Sequence, residues 1–198
     1  MTSGIWKAFT MSEVDHFDPN KPVTHNTPYV HKEYAYKYKW LNIFIYTAMH
    51  LVFFYSIQLH ITTSKWQSNV FAWVYGIFGG LGLTAGVHRL WAHKSYKANL
   101  PLRILLAISH SISNQQSIYR WVRDHRTHHK YSDTDADPHD PRRGFVFAHI
   151  GWLVITKRPA VIEGGKTIDM TDILNDPVAS FQTKYNSIIG PFFCFLLP

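Results

Sequence analysis

The chain has little cysteine and comparatively few acidic residues. Cys194 is the only cysteine among its 198 residues, which excludes an intrachain disulfide framework and a zinc site built from cysteine thiolates. Aspartate and glutamate number 13 against 20 lysines and arginines, giving a formal net charge of +7. Such a balance suits nucleic acid, an anionic ligand or an anionic membrane surface. Because no nucleic-acid-binding motif accompanies the basic residues, which flank apolar blocks, we favour the membrane and the anionic ligand.

Two long segments lack charged residues altogether. Residues 40–64 and 66–87 contain no Asp, Glu, Lys or Arg. Each exceeds the roughly 20 residues that a helix needs to cross about 30 Å of hydrocarbon. We therefore predict two transmembrane helices, at about 40–61 and 68–87, which form a hairpin around a short polar turn. A buried hairpin of a soluble α-helical protein is the alternative, but two consecutive uncharged blocks of this length argue against it.

The basic residues around these segments predict their orientation. Lysines 32, 37 and 39 precede the first segment, and Arg89, Lys94, Lys97 and Arg103 follow the second, whereas only Lys65 lies between them. Basic residues concentrate on the cytosolic side of a membrane. Both ends of the hairpin are therefore predicted to be cytosolic.

Glycines recur in the second segment at a spacing typical of close helix contacts. Gly76 and Gly80 form one pair four residues apart, and Gly82 and Gly86 form another. Small residues at this spacing let two helix backbones approach each other in a membrane. We expect both pairs to pack against a neighbouring helix.

The first 33 residues differ from the rest of the chain. They are polar, contain Pro19, Pro22 and Pro28, and have no apolar segment of the kind found in a secretory signal peptide. We predict that residues 1–33 form a mobile cytosolic tail.

The remainder, residues 34–198, is predicted to be one all-α integral membrane domain. Its apolar runs at 100–112 and 144–156 are too short to span a bilayer and suit interfacial or partly buried helices. Together with the polar residues around them they would form a cytosolic, histidine-rich helical cap at about 88–183. Residues 185–198 begin like a third membrane helix but are too few to complete it, so we expect this helix to be truncated and the domain incomplete.

Two histidine clusters follow the second apolar segment. His125, His128 and His129 have the spacing i, i+3, i+4, which places three imidazoles on one face of a helix. Imidazole suits iron, zinc, copper or nickel. His88 and His93 are five residues apart, roughly 140° around an ideal α-helix, so one ion cannot easily bind both. Either the helix ends between them or each binds a different metal, which favours a dinuclear site.

Each cluster also has an ordinary interpretation. The cluster of His125, His128 and His129 could be the polar, solvent-exposed surface of a helix. The His88/His93 pair could anchor the chain beside the membrane. Because both clusters lie at the same predicted membrane face, a metal site is favoured. A bound imidazole needs a partner for its second nitrogen. Four aspartates are the local candidates: Asp124, Asp133, Asp135 and Asp137. We do not expect three further histidines to be ligands: His110, His139 and His149.

Three stretches carry a family resemblance. GVHRLWAHKSY at 86–96 and WVRDHRTHHKYSDTDADPH at 121–139 resemble the first two histidine boxes of membrane acyl-CoA desaturases. RGFVFAHIGW at 143–152 is also similar to the stearoyl-CoA, delta-9 type, particularly its insect members. The resemblance implies four transmembrane helices under a cytosolic cap that holds two irons. It also implies a set of metal ligands, completed by a third histidine box that this chain does not contain: His88, His93, His125, His128 and His129.

The same resemblance implies a reaction. Such enzymes insert a cis double bond into a saturated fatty acyl-CoA, using O₂ and two electrons from cytochrome b5 and its NADH-dependent reductase. The expected location is the endoplasmic reticulum membrane, with the amino terminus and the histidine boxes in the cytosol. The CoA phosphates would favour a basic surface.

The resemblance also suggests substrate contacts. Arg123 and Asp124 would bind CoA, with Lys157 and Arg158 as weaker candidates. Gln115 and Trp121 would line the tunnel for the acyl chain. For the four charged residues, ordinary solvated charges at a membrane interface are the alternative.

Two other functions remain open. A related histidine-box hydroxylase would carry the same motifs, and a shortened non-catalytic isoform could bind full-length desaturase. We expect the 198 residues alone to be inactive, because five histidines cannot fill two iron coordination spheres. The position of the double bond, the preferred chain length and the oligomeric state do not follow from the sequence.

Overall fold

The computed structural model describes residues 35–198, and the predicted tail at 1–33 lies outside the described residues. Within them the chain is helical, with one isolated antiparallel bridge between Tyr38 and Ile155. This confirms the all-α prediction. The α-helices are α1 (Trp40–Thr62), α2 (Trp66–Leu81), α3 (Leu100–Ser113), α4 (Ile118–Tyr131), α5 (Trp152–Val154), α6 (Pro159–Lys166), α7 (Thr171–Asn175) and α8 (Pro177–Pro191). The non-α helical segments are the 3-10 turn Pro141–Arg143 and the π-helices Gly82–Ala92, Phe147–Gly151 and Phe192–Leu196.

Two helices have the length and composition to cross a membrane. They are Trp40–Thr62 and the continuous helix Trp66–Ala92, formed by α2 and the π-helix Gly82–Ala92. The second helix begins two residues before the predicted span and ends five residues after it. It therefore carries His88 directly out of the apolar segment. Every residue of α1 is described and none is buried, as expected of a helix surrounded by lipid.

Helix α1 is attached mainly to the cap. The Lys39 amide donates to the Val154 carbonyl at 2.8 Å, and the Asn42 side chain donates to the Leu153 carbonyl at 2.7 Å. Near the turn that joins α1 and α2, the Asn69 side chain donates to the His60 carbonyl at 3.4 Å. These contacts do not establish packing of α1 along α2. The membrane hairpin and the cytosolic position of the cap therefore stay predictions.

The long helix that contains α2 packs against α3 through a row of glycines. A Cβ atom on Gly82 would lie 2.0 Å from the His110 backbone nitrogen, and one on Gly86 would lie 3.3 Å from Leu106 Cβ. The predicted close contact is confirmed for this pair. Among residues 35–198, a Cβ on Gly76 or Gly80 would meet nothing within 4 Å, so close helix contact at that pair stays a prediction.

Gly82→Ala is expected to destabilise the fold. Its methyl group would meet α3 backbone atoms, which cannot move aside as a flexible side chain can, so we expect a loss of about 1–3 kcal/mol or more. Gly80→Ala is the matched control and should be neutral or slightly stabilising, because alanine has the higher helix propensity. Thermal unfolding of the full-length protein in detergent compares the two. Equal melting temperatures would contradict the close approach at Gly82.

The apolar core lies where the long helix, α3, α4 and the start of α8 meet. Its most buried members include Val87 and Trp91 of the π-helix, Ile118 and Val122 of α4, and Ala179 of α8. Burying these side chains keeps the π-helix and α4 side by side. Since each of these helices carries a histidine cluster, the core brings the two clusters together.

Hydrogen bonds from α8 fix the beginning of α4. The first amides of a helix have no partner within it. The Ile118 amide donates to Gln182 Oε1 at 2.9 Å, the Tyr119 amide to Thr183 Oγ1 at 3.2 Å, and the Arg120 amide to the Ser117 side chain at 3.3 Å. Helix α8 therefore orients the helix that carries His125, His128 and His129.

Helix α8 begins earlier than the predicted third membrane segment. The side chain of Asp176 caps it, accepting from the Val178 and Ala179 amides at 2.9 and 3.1 Å, and Pro177 occupies its first turn. The helix therefore starts before residue 185, while the start of a membrane segment near that residue stays a prediction. A capping aspartate followed by proline is a helix-start signal that the sequence did contain.

Candidate metal centre

His88 lies on the π-helix Gly82–Ala92 and His93 directly follows its last residue, which resolves their unusual spacing. A π-helix has i→i+5 hydrogen bonds, and here the His93 amide donates to the His88 carbonyl at 3.0 Å. Residues five apart are therefore neighbours on successive turns, and the two ring centroids are 4.6 Å apart. The sequence suggested that the helix ends between these residues or that they bind different metals. The π-helix does end at Ala92, between the two histidines, and both rings lie in one group rather than in two.

Helix α4 adds two imidazoles to this group. His125 Nε2 lies 2.9 Å from His93 Nε2 and 3.1 Å from His129 Nε2, and the His88 and His125 ring centroids are 4.7 Å apart. Ligand nitrogens of all four histidines lie within 4.8 Å of one another. Imidazole nitrogens bind zinc at about 2.0–2.1 Å, so two of them bound at right angles would be about 3 Å apart. The observed separations match a shared metal ion.

Hydrogen bonding alone does not account for this arrangement. His125 Nε2 faces two other Nε2 atoms, while a neutral imidazole carries at most one proton on that atom. Burial, and then the neighbouring histidines beginning with His129, lower the pKa of His125 to about 3. Burial also lowers the pKa of His129. His125 and His129 therefore favour the neutral form that binds metal, and the donor set of the group fits a transition-metal ion.

His128 belongs to a second group beside the first. Its Nδ1 lies 2.9 Å from Asp137 Oδ1, and its ring centroid is 4.3 Å from that of His139. His128, Asp137 and His139 form a second set of side chains able to hold a metal ion. The hydrogen bond that His128 donates to Asp137, acting against partial burial, raises the pKa of His128. His139 was not expected to lie at the site, although the DADPH run after the second cluster placed it nearby.

Asp137 is the aspartate that orients a histidine. It is fully buried, and besides His128 it accepts from the His139 amide at 3.1 Å and the Asp133 amide at 3.3 Å. A carboxylate on Nδ1 leaves Nε2 of the same ring directed towards a metal. The other candidate aspartates have different partners: Asp124 pairs with Lys157, Asp135 with Arg143 and Arg158, and Asp133 lies 3.8 Å from Arg142.

Of the predicted substrate residues, the structure brings Trp121 to the histidines. Its ring stacks on His125, with centroids 4.7 Å apart and planes 26° apart, and its centroid is 6.0 Å from that of His88. Gln115 is exposed in the turn between α3 and α4, between Asn114 and Gln116, which both have positive φ. Such backbone strain is common at functional sites.

The predicted CoA contacts separate into two places. Arg123 and Lys157 both pair with Asp124, and burial lowers the pKa of Lys157 despite this partner. Arg158 is instead buried and donates to Asp135. The structure therefore keeps Arg123, Asp124 and Lys157 together as one charged group, whereas Arg158 contributes to a separate ion-pair cluster of the cap.

An aspartate outside both histidine clusters makes a strong ion pair with α4. Asp172 of α7 accepts from Arg126 Nη1 and Nη2 at 2.9 and 2.7 Å, and Lys94 Nζ lies 3.1 Å away. Partial burial would raise the pKa of Asp172, but the hydrogen bonds from Arg126 and Lys94 outweigh it and hold this pKa at about 2. Sequence reasoning missed this contact, because its partners are far apart in the chain.

The contribution of Asp172 to stability should depend on pH. Its folded-state pKa is depressed to about 2 from 3.8, so the stabilisation is present above about pH 4 and is lost as the pH falls towards about 2. The melting temperature of the wild type should exceed that of Asp172→Asn at about pH 5, and this difference should shrink by about pH 3. If the melting temperatures of the two proteins differed by the same amount at every pH, the low pKa assigned to Asp172 would be contradicted.

Comparison with known proteins identifies related sequences. A family model described as fatty acid desaturase matches residues 64–197. The chain is 52% identical over 161 residues to stearoyl-CoA desaturase 5 of Bos taurus, covering 80% of this chain and 47% of that protein. It is 47% identical over 163 residues to an acyl-CoA Delta(11) desaturase of Trichoplusia ni, covering 82% and 47%. A Delta(9)-fatty-acid desaturase of Caenorhabditis elegans is 44% identical over 181 residues, covering 91% and 53%. The chain thus spans about half the length of these relatives.

Proposed function

Because the chain belongs to the fatty acid desaturase family, we propose that the whole protein is an O₂-dependent acyl-CoA desaturase. It would introduce a cis double bond into a saturated fatty acyl-CoA. The names of the relatives support the substrate class. The observation that carries the proposal is the convergence of four imidazoles from two helices, one of which emerges from an apolar segment of membrane-spanning length.

The metal would be a pair of irons held by the two histidine groups. His88, His93, His125 and His129 would bind one ion, and His128, oriented by Asp137, would bind the other. An iron pair supplies the activation of O₂ that removal of hydrogen from an unactivated methylene requires. The five histidines leave positions on both ions unfilled, so we propose that catalysis belongs to the full-length protein. Iron analysis of residues 1–198 beside the full-length protein tests this, and stoichiometric iron with turnover in the shorter chain would refute it.

The protein residues around the histidines would hold and orient the substrate. Trp121 stacks on His125 and would form an apolar wall beside the reacting methylenes, with Gln115 at the turn that leads into α4. Arg123 and Lys157 would interact with the CoA phosphates, and Asp124 would fix the positions of both cations. Exclusion of water by the apolar walls would protect the reaction from side reactions.

The proposal also covers the electron donors and the cellular location of the protein. Electrons would come from cytochrome b5 and its NADH-dependent reductase. The two apolar helices would place the protein in the endoplasmic reticulum membrane, and the surrounding basic residues would place the histidines on the cytosolic side.

Expression of the full-length protein in desaturase-deficient yeast tests the reaction. We expect a new monounsaturated fatty acid in the membrane lipids. A hydroxylated fatty acid would instead support a histidine-box hydroxylase, and no product despite good membrane expression would support a non-catalytic role. The relatives' names include both Delta(9) and Delta(11) enzymes, so the double-bond position in the product is the informative measurement. We propose the delta-9 position.

A further inference from the structure

Arg126 connects the two histidine clusters without belonging to either ligand group. Its Nη2 donates to the Trp91 carbonyl at 2.8 Å and its Nε to the Ala92 carbonyl at 3.2 Å. The same guanidinium donates to both carboxylate oxygens of Asp172 and, at 2.8 Å, to the Asp169 carbonyl. Its side chain is only 15% exposed. One largely buried cation therefore joins α4, the end of the π-helix and the start of α7.

These contacts lie where the π-helix needs a partner. The last carbonyls of a helix lack hydrogen-bond partners within it, and their partial negative charge favours a cation. Trp91 and Ala92 are the last residues of the π-helix, and His93 follows directly. Arg126 itself follows His125 on α4. These hydrogen bonds thus link the backbone just before His93 to Arg126, the residue just after His125.

We propose that Arg126 is a positioning residue that holds His93 against His125, with Asp172 keeping its guanidinium in place. The inference rests on the proposed metal-binding role of the histidines. The observed 2.9 Å between His93 Nε2 and His125 Nε2 depends on the relative placement of two separate helices. Arg126 fixes that placement beside both rings, because it directly follows His125 and donates to the carbonyl of Ala92, which precedes His93.

The shape of the guanidinium, beyond its charge, explains why arginine occupies this position. Five acceptors surround it: the two Asp172 oxygens and the carbonyls of Trp91, Ala92 and Asp169. Arginine presents five donors in a planar fork, whereas lysine presents a compact ammonium with three donors. A lysine would keep the positive charge but could not reach both sides of the site. Arg126→Lys therefore separates geometry from charge.

The test compares Arg126→Lys and Asp172→Asn with the exposed Arg120→Lys on the same helix, all in the full-length protein. Each is purified without metal, and titrated with Co²⁺, whose visible absorption bands report ligand number and geometry. We expect about 10- to 100-fold weaker Co²⁺ binding and altered bands for Arg126→Lys, a smaller loss for Asp172→Asn, and wild-type behaviour for Arg120→Lys. The melting temperature of each metal-free protein shows whether it is folded.

The outcomes separate this inference from the proposed function. If the wild type does not bind Co²⁺, the metal-binding role itself fails. If the wild type binds and folded Arg126→Lys matches it in affinity and spectrum, the positioning role is overturned. If Arg126→Lys does not fold, Asp172→Asn decides, because it leaves Arg126 and the two helix-end carbonyls unchanged. A wild-type spectrum for Asp172→Asn would overturn the role of Asp172 in holding the Arg126 guanidinium in place.

Discussion

His125→Ala is expected to abolish metal binding at the four-histidine group and with it the proposed desaturation. His125 is the central ring, with its Nε2 atom facing those of both His93 and His129. Removing it leaves His88, His93 and His129 without the ring that lies between them. The loss should exceed the about 10- to 100-fold effect typical of residues that only orient a ligand.

The experiment measures iron per protein and the monounsaturated product in desaturase-deficient yeast expressing the full-length variant. His149→Ala is the matched control, because His149 is exposed and its ring stacks on Phe145, away from both groups. We expect wild-type iron and product for the control. Full iron content in His125→Ala would show that the four imidazoles do not share an ion.

The sequence predicted which histidines form the candidate site better than it predicted how they are arranged. The i, i+3, i+4 spacing correctly placed His125, His128 and His129 on one helix, because α4 is a regular α-helix there. It did not predict that His128 would face Asp137 while the other two face the π-helix. That division depends on where the neighbouring segments pack. One helical face is wide enough for its histidines to contact two different segments.

The His88/His93 pair shows why regular geometry was the wrong assumption. A five-residue spacing separates two side chains on an α-helix but makes them neighbours on a π-helix. Nothing local in the sequence favours i→i+5 over i→i+4 hydrogen bonds. The close packing of Gly82 and Gly86 on α3 accompanies this change, and such packing is a tertiary property.

The residues that orient the ligands were the least predictable. Four aspartates surround the second cluster in sequence, and each was an equal candidate for a histidine partner. The choice of Asp137 follows from the turn after α4, where Asp133 has a φ of 59° and its amide points at the Asp137 carboxylate. The link from Arg126 to Asp172 joins residues 46 positions apart, so local spacing held no signal for it.

Asp137→Ala is expected to produce the second-largest loss. It removes the acceptor of His128 Nδ1, so the ring loses the contact that directs its Nε2 towards the proposed second iron. It also leaves the Asp133 and His139 amides without a buried acceptor, so the turn after α4 should loosen. We expect about 10- to 100-fold lower metal affinity or activity than in the wild type.

Asp137→Asn distinguishes the charge of this carboxylate from its shape. The amide keeps one oxygen to accept from His128, but its NH₂ group would face the Asp133 amide, which is itself a donor. The iron content of Asp137→Asn should therefore lie between that of the wild type and that of Asp137→Ala. Glu163→Ala, which removes an exposed partner of Lys166, serves as the control and should keep wild-type iron. In the proposed assignment, His128 would be the one box histidine that binds the second iron. Asp137→Ala should therefore retain about one of the two irons, whereas equal loss of both would contradict the division into two groups.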